Sequence, residues 1–139
     1  NKLGEPGVLQ HGLAIKPGKP SILAVCDGKP VIGLPGNPVS AMLVARQVML
    51  PTVRHLAGET SRPSGSIPAR VTQNVASMAG REDGVPVRLL SSDDGQMLAE
   101  PIFGKSNLIY TLVNADGLLH VPLNHGGYQA GEVVSITPF

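Results

Sequence analysis

The chain has 139 residues with a formal net charge of +1, charged residues at 15%, aromatics at 3% and no tryptophan. That balance gives no electrostatic reason to expect a nucleic-acid or membrane partner, and no aromatic platform on which unpaired bases would stack. The lone cysteine, Cys26, excludes an intrachain disulfide framework, and no apolar run nears the roughly 20 residues that span a bilayer, so a reducing, cytoplasmic setting is expected.

Asn1 is followed almost at once by Gly4 and Pro6, as if a helix were ending there, so the chain reads as a fragment with earlier elements missing. Val8 to Ile15 and Ser21 to Val25 are candidate strands. An Asp27-Gly28 turn then leads into a third, Pro30 to Leu34. Asp-Gly between apolar runs is a hairpin signal, because both turn positions tolerate positive φ. Cys26 lies in one of these runs and reads as a small core residue.

A helix follows, with Asn37 as N-cap and Pro38 at its first position, where a missing N–H is harmless. Met42, Ala45, Met49, Val53 and Leu56 share one face, and Leu43, Val44, Val48 and Leu50 widen the apolar surface, so a largely buried helix is expected. Pro51 should kink or break it, and Gly58 should end it. The first unit then runs over residues 1–60.

Residues 61–66 belong to a polar stretch rich in Pro, Gly and Ser that reads as a linker. Beyond it, over 67–139, the period changes to two. Runs at Ile67–Val75, Val85–Leu90, Met97–Ile102, Leu108–Val113, Leu118–Val121 and Glu132–Ile136 are separated by turn residues. Short strands at that spacing predict a small antiparallel β-barrel or sandwich. A unit this small is near the lower limit for independent stability, so contact with the first half or a second subunit is expected. The low charge density likewise predicts a surface covered by a partner or by missing sequence.

Several motifs lead nowhere. Gly104-Lys105-Ser106 imitates the end of a P-loop, but Ala99 stands where the first glycine is required. His11, His55, His120 and His125 lack metal-ligand spacing, no serine sits in a nucleophile elbow, and Asp93-Asp94-Gly95 reads as a hairpin turn. Arg81-Glu82-Asp83 and Lys105-Ser106-Asn107 read as solvated loops.

Two local patterns remain. In Lys16-Pro17-Gly18-Lys19-Pro20 the prolines fix φ and Gly18 permits a tight turn, which holds two ammonium groups on one rigid loop. In Leu34-Pro35-Gly36-Asn37-Pro38-Val39-Ser40 the first amides of a helix and the Ser40 hydroxyl form an anion cradle. Placed on adjacent strand ends, the two patterns point to an anionic ligand.

With those residues, the chain resembles the C-terminal part of the MoeA/gephyrin E-domain family, the molybdopterin molybdenumtransferases. The resemblance rests on Lys16-Pro-Gly-Lys-Pro20, Gly33-Leu-Pro-Gly-Asn-Pro-Val-Ser40 and the helix reaching Leu56-Ala-Gly58. It continues in Gly80-Arg-Glu-Asp83, Gly104-Lys-Ser106, Asn114-Ala-Asp-Gly-Leu118 with Pro122, and Ala130-Gly-Glu-Val133 to Phe139. It implies an α/β fragment, the end of a MogA-like molybdopterin-binding domain, followed by a small all-β barrel. It also implies molybdate insertion into adenylylated molybdopterin with a divalent cation, usually Mg2+, by a homodimer. On this resemblance Lys16, Lys19, Pro35, Gly36, Asn37 and Ser40 surround molybdate or the pterin phosphate, and Arg81 and Ser106 complete the pocket from the barrel side.

The family's acidic residues for metal and catalysis lie in a motif that this sequence does not contain, so the chain by itself is expected to be inactive and to hold half a site. Two other readings stay open: a non-catalytic dimerisation or scaffold module, as in gephyrin-like relatives, and generic nucleotide binding at an α/β edge.

Overall fold

The structure, a computed structural model, describes residues 4–60, 65–104 and 110–139. Strand β1 (Pro6–His11) pairs antiparallel with β3 (Ile22–Cys26), which pairs antiparallel with β4 (Lys29–Gly33). Asp27 and Gly28 close that second hairpin with φ of 51° and 77°, so both turn positions are left-handed, as a tight two-residue turn requires. The single strand expected over Val8 to Ile15 is instead two. Between Gly12 and Ala14 the chain leaves the three-stranded sheet, and Ile15–Lys16 (β2) joins the second half. Cys26 is buried, as expected of a core residue.

The helix begins at Pro38 but is not uniform. Pro38–Val44 (α1) passes into a π-helical turn, Ala45–Met49, and then into Leu50–Leu56 (α2). The break expected at Pro51 is therefore spread over the turn before it. A proline clashes with the carbonyl four residues back, here Gln47, and widening the preceding turn relieves that contact. At the other end the Gly58 amide donates to the His55 carbonyl at 3.0 Å and the Glu59 amide to the Arg54 carbonyl at 2.9 Å. With Gly58 at φ 77° this is a Schellman ending.

The expectation of a largely buried helix fails. Val39, Ser40, Leu43 and Val44 are buried, but Met42 and Val53 are each 53% exposed and Leu56 65%. The first turns lie against the second half, where Val39 and Leu43 pack with Leu118. The π-helical turn is held by Arg46, which donates to the Pro138 carbonyl and sits 5.2 Å from the Phe139 ring centroid.

The second half is a closed barrel. Strands β5 (Ile67–Val71), β7 (Glu82–Ser91), β8 (Met97–Pro101), β9 (Gly117–Val121) and β11 (Val133–Pro138) are ordered β7-β8-β5-β11-β9, and β9 returns to β7. All pairings are antiparallel except β5 with β8. A small ribbon of β6 (Val75–Ala76) and β10 (Gly127–Tyr128) sits beside it. Inward residues alternate as the pattern predicts, and Val71, Val87, Ala99, Leu119, Val121 and Ile136 are each at most 1% exposed.

One strand assignment is overturned. In the run Leu108–Val113, residues Tyr110–Val113 form a short helical turn, α3, while 108 and 109 lie outside the described residues. Five strands already close the barrel, β2 takes the edge left at the start of β7, and Tyr110 and Val113 are 72% and 70% exposed. Most of the expected linker (61–64) also lies outside the described residues.

Candidate functional site

Strand β2 joins the two halves. Ile15 and Lys16 run parallel to Glu82 and Asp83 at the start of β7, and the Glu82 amide donates to the Ala14 carbonyl at 2.8 Å. This seals the edge of β7 that β8, pairing only from Val87 onward, leaves open.

The lysine-bearing turn directly follows β2. Its anchor is Ser21, which is fully buried. The Ser21 hydroxyl donates to the Gly18 carbonyl at 2.7 Å, and its amide donates to the same oxygen at 3.1 Å. The Leu13 amide donates to the Lys19 carbonyl at 2.9 Å. Gly18 has φ 126°, and a Cβ there would lie 2.5 Å from Val44 Cγ2. The turn therefore rests directly on helix α1, and only glycine allows that approach. The lysine turn thus meets α1 at its last residue, Val44, while the helix start lines the same cavity.

Together with the barrel they line a half-open cavity of about 620 Å³. Its first-half wall includes Lys16, Lys19, Pro35, Gly36, Asn37 and Ser40, and its barrel wall includes Arg81 and Asp83. Seven of the eight expected site residues thus line one space. The eighth, Ser106, lies outside the described residues. Asn37 occupies the N-cap position with extended backbone (φ −80°, ψ 124°), yet its side chain makes no cap hydrogen bond, which corrects the expected capping role.

Arg81-Glu82-Asp83 is not the solvated loop expected. Glu82 and Asp83 begin β7, and Asp83 is only 4% exposed. Arg81 Nε donates to Asp83 Oδ1 at 2.8 Å and Arg81 Nη2 to Asp83 Oδ2 at 3.3 Å, a two-point ion pair in the cavity wall. Among the described residues the cavity wall carries three cationic side chains against one carboxylate. Glu82 turns outward to His120, whose Nε2 lies 3.0 Å from Glu82 Oε2.

The burial of Asp83 was the part sequence reasoning missed. The signal existed: positions 83, 85 and 87 share the inward phase of β7, and a carboxylate in that phase needs a partner. Thr111 and the apolar lining from Val75, Ile102 and Phe103 were also missed. Among the described residues no group of three or more His, Cys, Asp or Glu is placed to hold a metal ion. No helix there is long and apolar enough to cross a membrane.

Comparison with known proteins supplies the relationship. Residues 68–139 match the model of the MoeA C-terminal region (domain IV), and residues 1–55 match that of the "Probable molybdopterin binding domain". A molybdopterin molybdenumtransferase of Haemophilus influenzae is 31% identical over 129 residues, covering 91% of this chain and 32% of the relative. Among solved structures, the molybdopterin biosynthesis MoeA protein from Pyrococcus horikosii superposes with a TM-score of 0.78 at 36% identity, covering 98% of this chain and 32% of that one. A molybdenum cofactor biosynthesis protein from Pyrococcus furiosus gives 0.78 at 28% identity, covering 95% and 45%. The chain spans about a third of the length of the curated relatives it matches. An α/β segment leading into a closed five-stranded barrel is the architecture these neighbours share with it, and the chain belongs to the MoeA family, with residues 68–139 forming its C-terminal region.

Proposed function

We propose that this chain provides the oxyanion-holding side of a molybdate insertion site, as part of a molybdopterin molybdenumtransferase acting on adenylylated molybdopterin. The observation that carries the reading is the convergence of Lys16, Lys19, Ser40 and Arg81 on one cavity between the two halves. The relatives bear the transferase name, which supports the same reading.

In this reading the chain's work is electrostatic. Ammonium and guanidinium groups hold a tetrahedral dianion, and the Ser40 hydroxyl, on a residue only 6% exposed, donates to it. Displacement of water by the occupant strengthens each contact, since charges act across a lower dielectric. At about 620 Å³ the cavity is far larger than one oxyanion and has apolar walls at Val39, Leu43 and Phe103, which favours an organic co-occupant such as a pterin.

The residues present do not fit a resident Mg2+. Among the described residues Asp83 is the carboxylate of the cavity wall, and Arg81 occupies both of its oxygens. A hard divalent ion requires free oxygen ligands. The carboxylates for metal and catalysis are therefore assigned outside this chain's described residues, and no step is routed through the ion.

Replacing Lys16 and Lys19 together by Ala should weaken molybdate binding by about 2–4 kcal/mol, the scale of two charge-assisted hydrogen bonds. Isothermal titration of sodium molybdate into both proteins reads this directly. Equal affinities would reject the role of the turn.

A homodimer is the second reading, favoured by the exposed apolar stripe of Met42, Met49, Val53 and Leu56. Sedimentation velocity should show a concentration-dependent dimer. A monodisperse monomer at high concentration would remove it.

A further inference from the structure

Asp83 is an unexpected residue to find in an anion site. It is 4% exposed and carries a negative charge in the wall of the cavity assigned above to an oxyanion. Coulomb repulsion alone would count against the site, so the residue needs another account.

Its geometry provides one. Both carboxylate oxygens are engaged by Arg81, through Nε at 2.8 Å and Nη2 at 3.3 Å. A guanidinium has five N–H donors in a fixed plane. The Asp83 pair uses one edge of that plane and leaves the Nη1 donors and the second Nη2 donor for something else. An unpaired Arg81 side chain, by contrast, would be free to sample many rotamers, because it remains 30% exposed. Asp83 is itself immobilised by its backbone, which pairs with Lys16 on one edge of β7 and with Val121 on the other. The residue that orients the barrel's cation is thus register partner to one of the first half's cations.

We propose that Asp83 is a positioning residue for oxyanion binding: it fixes the Arg81 guanidinium so that its remaining N–H groups face the anion, in register with Lys16. The inference rests on the functional reading given above. It assigns Asp83 no contact with the anion.

The proposal has a sign that a simple charge effect does not share. Asp83→Asn removes a negative charge from the wall, so charge alone predicts tighter molybdate binding. Loss of positioning predicts weaker binding. We expect sodium molybdate affinity, read by calorimetry, to fall about tenfold in Asp83→Asn and to change less than twofold when the same substitution is made on an Arg81→Ala background. Asp83→Glu, which retains the carboxylate, should recover part of the loss. Unchanged or tighter binding by Asp83→Asn, or an equal loss on both backgrounds, overturns the proposal.

A second measurement does not depend on any variant folding. In 15N-labelled wild-type protein the Arg81 Nε–H should give a distinct resonance protected from solvent exchange before any ligand is added, and sodium molybdate should shift it. Rapid exchange in the free protein overturns the proposal. If wild-type protein fails to bind molybdate, or Arg81→Ala binds as wild type does, the functional reading itself fails and the inference falls with it. If both behave as expected and only Asp83→Asn does not, the positioning role alone is lost.

Discussion

Gly18→Ala tests whether the lysine turn is held where the cavity needs it. Two costs add at this position. At φ 126° an L-residue sits in a strained region, worth about 1–3 kcal/mol. The new Cβ would lie 2.5 Å from Val44 Cγ2 and 2.8 Å from Ile15 Cδ1, and Val44 is fully buried, so it has no solvent into which to retreat. Overpacking of that kind costs about 1–3 kcal/mol more. The middle of the summed range is about 4 kcal/mol. With an unfolding entropy of about 2.1 cal/mol/K per residue, a chain of this length loses about 1 °C in Tm for each 0.3 kcal/mol. The expected drop is therefore about 10–15 °C by calorimetry or circular dichroism. Gly28→Ala separates the two costs. It also has positive φ, at 77°, but nothing lies within 4 Å of its added Cβ, so about 1 kcal/mol and a few degrees are expected. Equal shifts for the two variants would refute the argument that the turn is seated on helix α1.

Leu119→Ala opens the barrel core at a fully buried position and should cost about 2–5 kcal/mol in urea unfolding. Gly127→Ala would set a Cβ 1.9 Å from the Val75 carbonyl oxygen at φ 111°. It should separate β6 from β10, visible as loss of amide protection at Ser77, whose amide donates to the Gly126 carbonyl at 3.1 Å. Asp94 has its carboxyl held below the usual aspartate range, first by the Ser92 hydroxyl and then by the Gln96 amide. A lowered folded value means its contribution is present above the unfolded value of about 3.9 and is lost as pH falls through the folded one. An NMR titration of Ser92→Ala should therefore move the Asp94 midpoint upward.

Features set by local chemistry could be read from the chain directly. Asp27-Gly28, Pro38 at the helix start and Gly58 at its end each satisfy a backbone demand that few residues meet, and each stands where expected. The inward alternation of the barrel strands was legible for the same reason, because one phase must be apolar. What failed depended on closure and contact. Leu108–Val113 has strand composition, but whether a strand forms depends on a free ladder edge, and the edge that the five barrel strands leave on β7 is taken by β2. Met42, Val53 and Leu56 are apolar, yet their exposure depends on what lies beside the helix. Asp83 and Arg81 looked like loop residues because polar types predominate there. Their pairing in the wall follows from β2 covering the start of β7, a contact between distant parts of the chain.

The division of the chain bears on how binding energy is delivered. The two family models end and begin at residues 55 and 68, and the cavity lies where their segments meet. Lys16, Lys19 and Ser40 come from the first segment, and Arg81 with Asp83 from the second. Neither segment alone presents the full set of donors. The union of β2 with β7 spans only two residue pairs, so the packing of Val39 and Leu43 against Leu118 and the reach of Arg46 to Pro138 must hold the halves in register. On the function proposed above, an anion gripped from both sides would favour the joined arrangement by its own binding free energy. Leu118→Ala, at a seam residue that does not line the cavity, should weaken oxyanion binding because it loosens the geometry in which the cations act together.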